Sequence, residues 1–472
     1  MEQLQYRIEK DSIGTKEVPV NRYYGVQSLR AAENFDITGE KLHPEMINSL
    51  AYIKKACAIT NCEVGLLPKK IADAIVKACD EIISGALHTE FITDPIQGGA
   101  GTSMNMNANE VIANRAIEIL GGTMGDYSVV HPNDHVNYGQ STNDVIPSAG
   151  KLTALRLLAS LKVELLRLQD AFELKAKEFD HIIKMGRTQM QDAVPIRLGQ
   201  EFKAYAVAIS RDIYRVEKAM NEMRTLNMGG TAIGTGINAD ETYYKEIVPT
   251  LSKVTNMEFI QAFDLVDGTQ NLDSFVFVSG SLKACAVTLS KISNDLRLMS
   301  SGPRTGFGEI NLPAKQNGSS IMPGKVNPVI PEVVNQVAFR VIGNDVTITM
   351  AAEAGQLELN AFEPVIFYSL FQSITAMTQA IKTFIDNCVL GITVNEERCK
   401  DLVENSVGII TAICPHVGYQ KAADIAKRAI KTGESVRALI LEEKLLTDEE
   451  IDHILNAFQM TTPGIPGKDL LK

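Results

Sequence analysis

The chain has 472 residues, of which 45% are hydrophobic and 22% charged, a balance that lets a globular protein bury a large core without covalent staples. Its formal net charge of −11 argues against a broad nucleic-acid-binding or anionic-membrane surface. Aromatic residues make up 6% and Trp is absent, so the apolar mass is Leu, Ile, Val, Ala and Met, a mixture that suits packed helices.

In chain order, the segment Met1 to Arg7 has no apolar core of the kind a secretory signal needs. Asp11 to Val20 reads as loop or short strand. Helical patterns cover Pro44 to Asn61 and Pro68 to Ser84, a glycine-rich loop follows at Gly98 to Gly101, and a further helix is expected from about Met106. The middle of the chain is different. From Asn143 to about Lys184 the periodicity is continuous, with Leu152, Leu155, Leu158, Leu161, Leu165, Leu166 and Leu168 as the apolar stripe. Ser141 and Thr142 are suited to capping this helix, Pro147 falls near its first turn, and Gly186 is a plausible stop. Such a helix is roughly 60 Å long, more than a compact domain is wide. Leu198 to Leu226, Leu272 to Ser300 and Pro331 to Asn387 repeat the pattern.

Long helices with apolar stripes must bundle, and stripes of this length exceed what one chain covers, which implies a homo-oligomer. From about Val394 the helices shorten. The expected class is mainly α, divided into an N-terminal mixed part (1–141), a central long-helix part (142–394) and a small C-terminal helical part (395–472). Cys57, Cys62, Cys79, Cys285, Cys388, Cys399 and Cys414 are odd in number, scattered and without a CxxC pair, so they read as reduced thiols. No apolar run reaches the length of a membrane span. Together these point to the cytoplasm.

Four polar clusters interrupt the helical patterning: Gly101 to Asn107, His131 to Asp144, Gly186 to Ala193 and Gly318 to Pro328. The fourth is the most specific. Its glycines let backbone N–H groups converge on an anion, Lys325 adds a point charge and Asn327 a neutral donor. Taken alone, each cluster has a plainer reading. Gly, Ser, Pro and Asn are ordinary turn residues, and Thr102, Ser103, Ser141 and Thr142 are ordinary helix caps. His135 reads more readily as a structural histidine, and His43, His88, His181, His416 and His453 are structural outright. A capped helix N-terminus is nonetheless itself an anion site. The run Gly229 to Gly236 lacks the GxGxxG spacing and reads as a loop for close packing. No HExxH, EF-hand or Cys/His ligand set appears, so no metal is implied.

The run GSSIMPGKVNP at Gly318 to Pro328 resembles the signature loop of the fumarase/aspartase superfamily. TSMNMNANE at Thr102 to Glu110, His131 to Asp144, and Gly186-Arg187-Thr188 resemble its other blocks, in the family's order along essentially the whole chain. Within the superfamily, Gly186 to Pro195 and Val329 to Val337 resemble the ammonia-lyases that act on L-aspartate. Gln189 stands where fumarases and some aspartases carry His, and Gly139 where Ser is common.

The resemblance implies a three-domain helical subunit and a homotetramer whose central domains share one helical bundle, with each active site assembled from three subunits. It implies reversible deamination of L-aspartate to fumarate and ammonium through an aci-carboxylate. Ser319 is then the base. Thr102, Ser141, Thr142, Ser320 and loop N–H groups stabilise the extra negative charge, usually the largest catalytic term. Thr188, Lys325 and Asn327 hold the α-carboxylate, and Asn143, with Gln189, positions the amino group. The loop is expected to close over substrate. No cofactor is required, and activation by a divalent metal such as Mg is not shown by the sequence. The alternatives are a class II fumarate hydratase, which uses the same intermediate with water as leaving group, and a non-catalytic structural relative.

Overall fold

The computed structural model describes residues 5–471; of the N-terminal stretch discussed above, Met1 to Leu4 lie outside them. Five helices dominate: Thr142–Glu178, Leu198–Glu222, Asp273–Met299, Val329–Glu353 and Glu363–Asn387. Among the described residues, strands form only four two-stranded pairings.

The chain resolves into two compact units. The first comprises Met1–Val163, Tyr214–Ala286 and Val337–Thr378, the second Glu164–Ile213, Val287–Gln336 and Gln379–Lys472. Each of the five long helices therefore gives one part of its length to each unit.

In the first unit, Leu152, Leu155, Leu158 and Leu161 are fully buried, as their spacing predicts. Gly150 sits in the same helix because a Cβ there would come within 2.3 Å of the Phe367 ring. Phe367 in turn packs edge-on against Phe275 and stacks on Phe371. In the second unit Leu165 and Leu168 are buried and lead to an aromatic cluster of Phe172, Phe179, Phe202, Tyr205 and Phe384. Leu166 departs from the predicted stripe: it is exposed, because it is turned about 100° round the helix from Leu165 and farther still from Leu168. A separate core built on Ile413, Ile425, Leu439, Ile440, Ile451 and Ile454 holds the short C-terminal helices.

Several boundaries differ from the sequence expectation. The central helix stops at Glu178, and Ile183–Thr188 is a strand paired with Gln191–Arg197. Gly186 is thus no helix stop; it lies at a bulge where a Cβ would meet the Val194 carbonyl at 2.6 Å. The stretch Pro331 to Asn387 is two helices, divided at a turn where Asn360 Nδ2 donates to the Ala351 and Ala352 carbonyls and so ends the first. The helix expected from Met106 begins earlier, at Thr102, and Asp11 to Val20 belongs to a hairpin of Tyr6–Asp11 and Gly14–Pro19.

One helix, Asp273–Met299, is long and apolar enough to cross a membrane by length and composition, contrary to the sequence expectation. One face of it lies in the core, where Val278, Leu282, Cys285, Leu289, Ile292 and Leu296 are buried, and it carries Lys283, Lys291, Asp295 and Arg297.

Candidate active site

The first unit brings together two helix N-termini. Gly101, at φ 85°, precedes the Thr102–Ile119 helix, and a Cβ on it would lie 2.8 Å from the Ile146 side chain in the first turns of the Thr142–Glu178 helix. This close approach, at Gly101 and Ile146, joins the first turns of the two helices that begin at Thr102 and Thr142. Asn105 Nδ2, one turn into the first helix, reaches Thr142 Oγ1 at 3.4 Å. Both helix ends carry the partial positive charge of a helix N-terminus, which favours a carboxylate.

The start of the second helix is built in detail. Ser141 Oγ accepts from the Asn143 N–H at 3.1 Å, while Asp144 Oδ1 reaches back to the Ser141 N–H at 2.9 Å, a reciprocal cap of the capping-box kind. Pro147 cannot donate to the Asn143 carbonyl four residues earlier. That carbonyl accepts instead from Asn227 Nδ2 at 3.0 Å. Asn143 Nδ2 donates to the Ala232 carbonyl at 2.7 Å, and Asp144 Oδ2 accepts from the N–H groups of Gly229 and Thr231. The glycine-rich run is therefore a close-packed loop, as read from the sequence: a Cβ at Gly234 would meet Leu265 at 2.4 Å.

Beneath this cradle lies a group that the sequence reading missed. Lys54 is fully buried, and its Nζ donates to Asn137 Oδ1 and Gln140 Oε1, both at 2.8 Å. Burial lowers its pKa to about 8, and burial raises that of the equally buried Asp144 to about 6 against three backbone N–H bonds and the Lys54 charge. Asn137 Oδ1 also accepts from Asn105 and Asn109. The signal was present: Lys54 falls on the helical stripe of Leu50, Cys57, Ala58 and Asn61, all buried. A chain of net charge −11 thus keeps a buried lysine, coupled to Asp144, under the residues expected to meet a dianion. His135 proves structural, its Nδ1 meeting the His131 N–H at 2.8 Å.

The second unit carries the remaining predicted residues, at two places. Thr188 and Gln189 lie at the tip of the Ile183–Thr188/Gln191–Arg197 hairpin, where Thr188 and Arg187 line a cavity of about 600 Å³. Ser319, Ser320 and Lys325 belong to the loop Gly318 to Pro328, which encloses a separate hollow of about 540 Å³. The loop is closed on itself. The Gly318 N–H donates to the Lys325 carbonyl at 3.0 Å, and Asn327 Nδ2 donates to the Gly318 carbonyl at 2.8 Å. A Cβ at Gly318 would sit 2.1 Å from the Lys325 oxygen, so only glycine closes this loop. Within it, Ser319 Oγ accepts from the N–H groups of Ile321 at 3.2 Å and Met322 at 3.0 Å. Two N–H donors on one hydroxyl oxygen stabilise its alkoxide relative to the alcohol, the direction in which a serine becomes a base. Ser320 and Lys325 are exposed, and Asn327 is spent on pinning the loop. Among the described residues, no group of three or more His, Cys, Asp or Glu side chains is arranged to hold a metal ion.

Comparison with known proteins identifies the family. A family described as Lyase matches residues 14–343, and one described as Fumarase C C-terminus matches residues 409–462. The chain is 56% identical over 470 residues to an aspartate ammonia-lyase of Bacillus subtilis (strain 168), covering 100% of this chain and 99% of the relative. It superposes with a TM-score of 0.95 on a fumarate lyase:delta crystallin of Brucella melitensis solved with cobalt, at 49% identity, covering 97% of this chain and 100% of the other. A class II fumarase of Schistosoma mansoni has the same fold, with a TM-score of 0.94 over 97% of this chain and 100% of its own, but only 36% identity. With two converging helix ends, a serine loop with N–H donors on its hydroxyl, and near-complete coverage by these relatives, the chain belongs to the aspartate ammonia-lyase family of the fumarase/aspartase superfamily.

Proposed function

We propose that this carbon–nitrogen lyase converts L-aspartate reversibly to fumarate and ammonium by anti elimination, with Ser319 as the base. The observation that carries the chemistry is the pair of backbone N–H groups on Ser319 Oγ. Ser319 removes a proton from the carbon beside the β-carboxylate, whose electrons move into that carboxylate as an aci-carboxylate. The electrons then return to form the carbon–carbon double bond as the Cα–N bond breaks and ammonia leaves. The step is redox-neutral and calls for no organic cofactor.

Thr102, Ser141, Thr142 and Ser320 stabilise the aci-carboxylate, where preorganised donors give their largest return. Thr188, Lys325 and Asn327 hold the other carboxylate, and Asn143 and Gln189 orient the amine. These groups come together in a homotetramer whose sites are each assembled from three subunits. The long helices support such a shared bundle, because Val207, Tyr214, Phe277, Phe339, Val346 and Met350 expose between 44% and 67% of their surface, apolar area that a monomer would leave in water. The tripartite division 1–141, 142–394 and 395–472 is the domain plan we assign to this subunit. Seven free cysteines, five of them buried, support a reducing, cytoplasmic location.

The test is to incubate the protein separately with L-aspartate and L-malate and follow fumarate by its ultraviolet absorbance. Fumarate from aspartate, with ammonium released in equal amount, is expected. Fumarate from malate alone would overturn the substrate assignment in favour of a hydratase.

A further inference from the structure

The tip of the Thr188 hairpin is strained. Strands Ile183–Thr188 and Gln191–Arg197 are joined by two residues, Gln189 at φ 53° and Met190 at φ 64°. A two-residue turn with both residues left-handed ordinarily takes Asn and Gly, because other side chains crowd their own backbone there. Here neither position is glycine. Such a conformation persists only where the surroundings over-determine it.

The surroundings lie next to Thr188. Arg187 Nη1 donates to Glu309 Oε1 at 2.7 Å and to the Met185 carbonyl at 3.3 Å, and its guanidinium rests 4.0 Å above the Phe307 ring. Glu309 is fully buried, with Lys184 Nζ 3.4 Å from its other oxygen. Lys184 is further tied to Glu201 at 3.1 Å. The backbone at Glu309 is itself fixed, its N–H donating to the Met299 carbonyl and its carbonyl accepting from the Asn395 N–H. A buried carboxylate on an immobile backbone thus grips two cations of one strand, on either side of the bulge between Met185 and Arg187. Packing alone does not call for it, since apolar residues of similar volume serve a core equally well.

We infer that Glu309 is a positioning residue for the reaction: through Arg187 it holds the strained Gln189–Met190 turn and thereby sets Thr188 and Gln189 where they meet substrate. The inference rests on the proposed contact of Thr188 with the substrate carboxylate. Glu309 itself touches no substrate and acts through the hairpin.

Steady-state kinetics with L-aspartate on Thr188→Ala, Glu309→Gln, their double variant and Glu309→Gln/Met190→Gly test it. Glu309→Gln is expected to raise KM about tenfold with a smaller change in kcat, the scale of effect that sub-ångström misplacement produces. In the Thr188→Ala background the same change adds little, because residues that act as one unit are not additive. Met190→Gly is expected to return KM of the Glu309→Gln protein toward the parent value, since glycine adopts this φ without steric cost. Fully additive effects, or no rescue by glycine, would overturn the positioning role and leave the Thr188 contact standing. An unchanged KM in Thr188→Ala would remove the contact itself, and the inference with it. Should Glu309→Gln fail to fold, Phe307→Leu weakens the same grip more gently. Its expected rise in KM of about threefold must likewise vanish in Thr188→Ala, and a rise that persists overturns the role.

Discussion

The helix-end cradle at Thr102 and Ser141 to Asn143 and the serine loop at Gly318 to Pro328 are made in opposite ways. In the cradle the hydroxyl residues ride on long helices, their backbone is tied by Asp144, Asn227 and the Gly229–Thr231 segment, and a buried lysine lies beneath. The loop is held largely by its own backbone, and residues 320 to 326 are all exposed. Dipoles that stabilise charge work best when they need not reorganise, so they belong on fixed helix ends. A base that must admit substrate and then exclude water belongs on a segment that can move. Changes to the loop should therefore cost turnover with little loss of stability, and changes to the cradle should cost binding and stability together.

The largest effect is expected from Ser319→Ala. Loss of a positioned base costs about 10²–10⁴-fold in kcat, while the melting temperature and oligomeric state stay at the parent values. Near-normal turnover would end the base assignment. Gly318→Ala comes next. Its Cβ collides with the Lys325 carbonyl, so the loop must open, and kcat is expected to fall about 10²-fold with unchanged thermal stability. A matching loss of stability would mean that the loop is part of the folded scaffold, contrary to the contrast drawn here.

On the cradle side, Lys54→Met is expected to raise KM for L-aspartate roughly tenfold near pH 7 and to lower the melting temperature, since Gln140 Oε1 and Asn137 Oδ1 each lose a charged donor. The pH dependence gives a sharper reading. Burial lowers the Lys54 pKa to about 8, so its charge is present below that pH and disappears as pH rises through it. KM of the parent enzyme should rise above about pH 8, and that difference should be absent from Lys54→Met. A persisting rise would place the titrating group elsewhere. The smallest kinetic effect is expected for Asn227→Ala, which leaves the Asn143 carbonyl without its substitute for the Pro147 donor. It should cost about 1–3 kcal/mol in denaturant unfolding and change KM only a few-fold. Unchanged stability would show that the carbonyl finds another donor.

The sequence by itself determined the class of the fold and the class of the reaction, because both are written in local pattern. Leucines spaced along Thr142–Glu178 define a buried stripe whatever they pack against, and GSSIMPGKVNP needs its glycine wherever the loop lies. The bounds of that helix were less legible: Ile183–Thr188 follows it with residues that tolerate either state, and only pairing with Gln191–Arg197 makes them a strand. The tertiary structure alone decided what depends on partners distant in sequence. Lys54 becomes a buried charge because Asn137 and Gln140, more than eighty residues away, turn their oxygens on it. Glu309 becomes an anchor because Arg187 and Lys184 arrive from a strand distant in the chain. Burying a charge is unfavourable until such partners are in place, so its position is known only when the chain has folded around it.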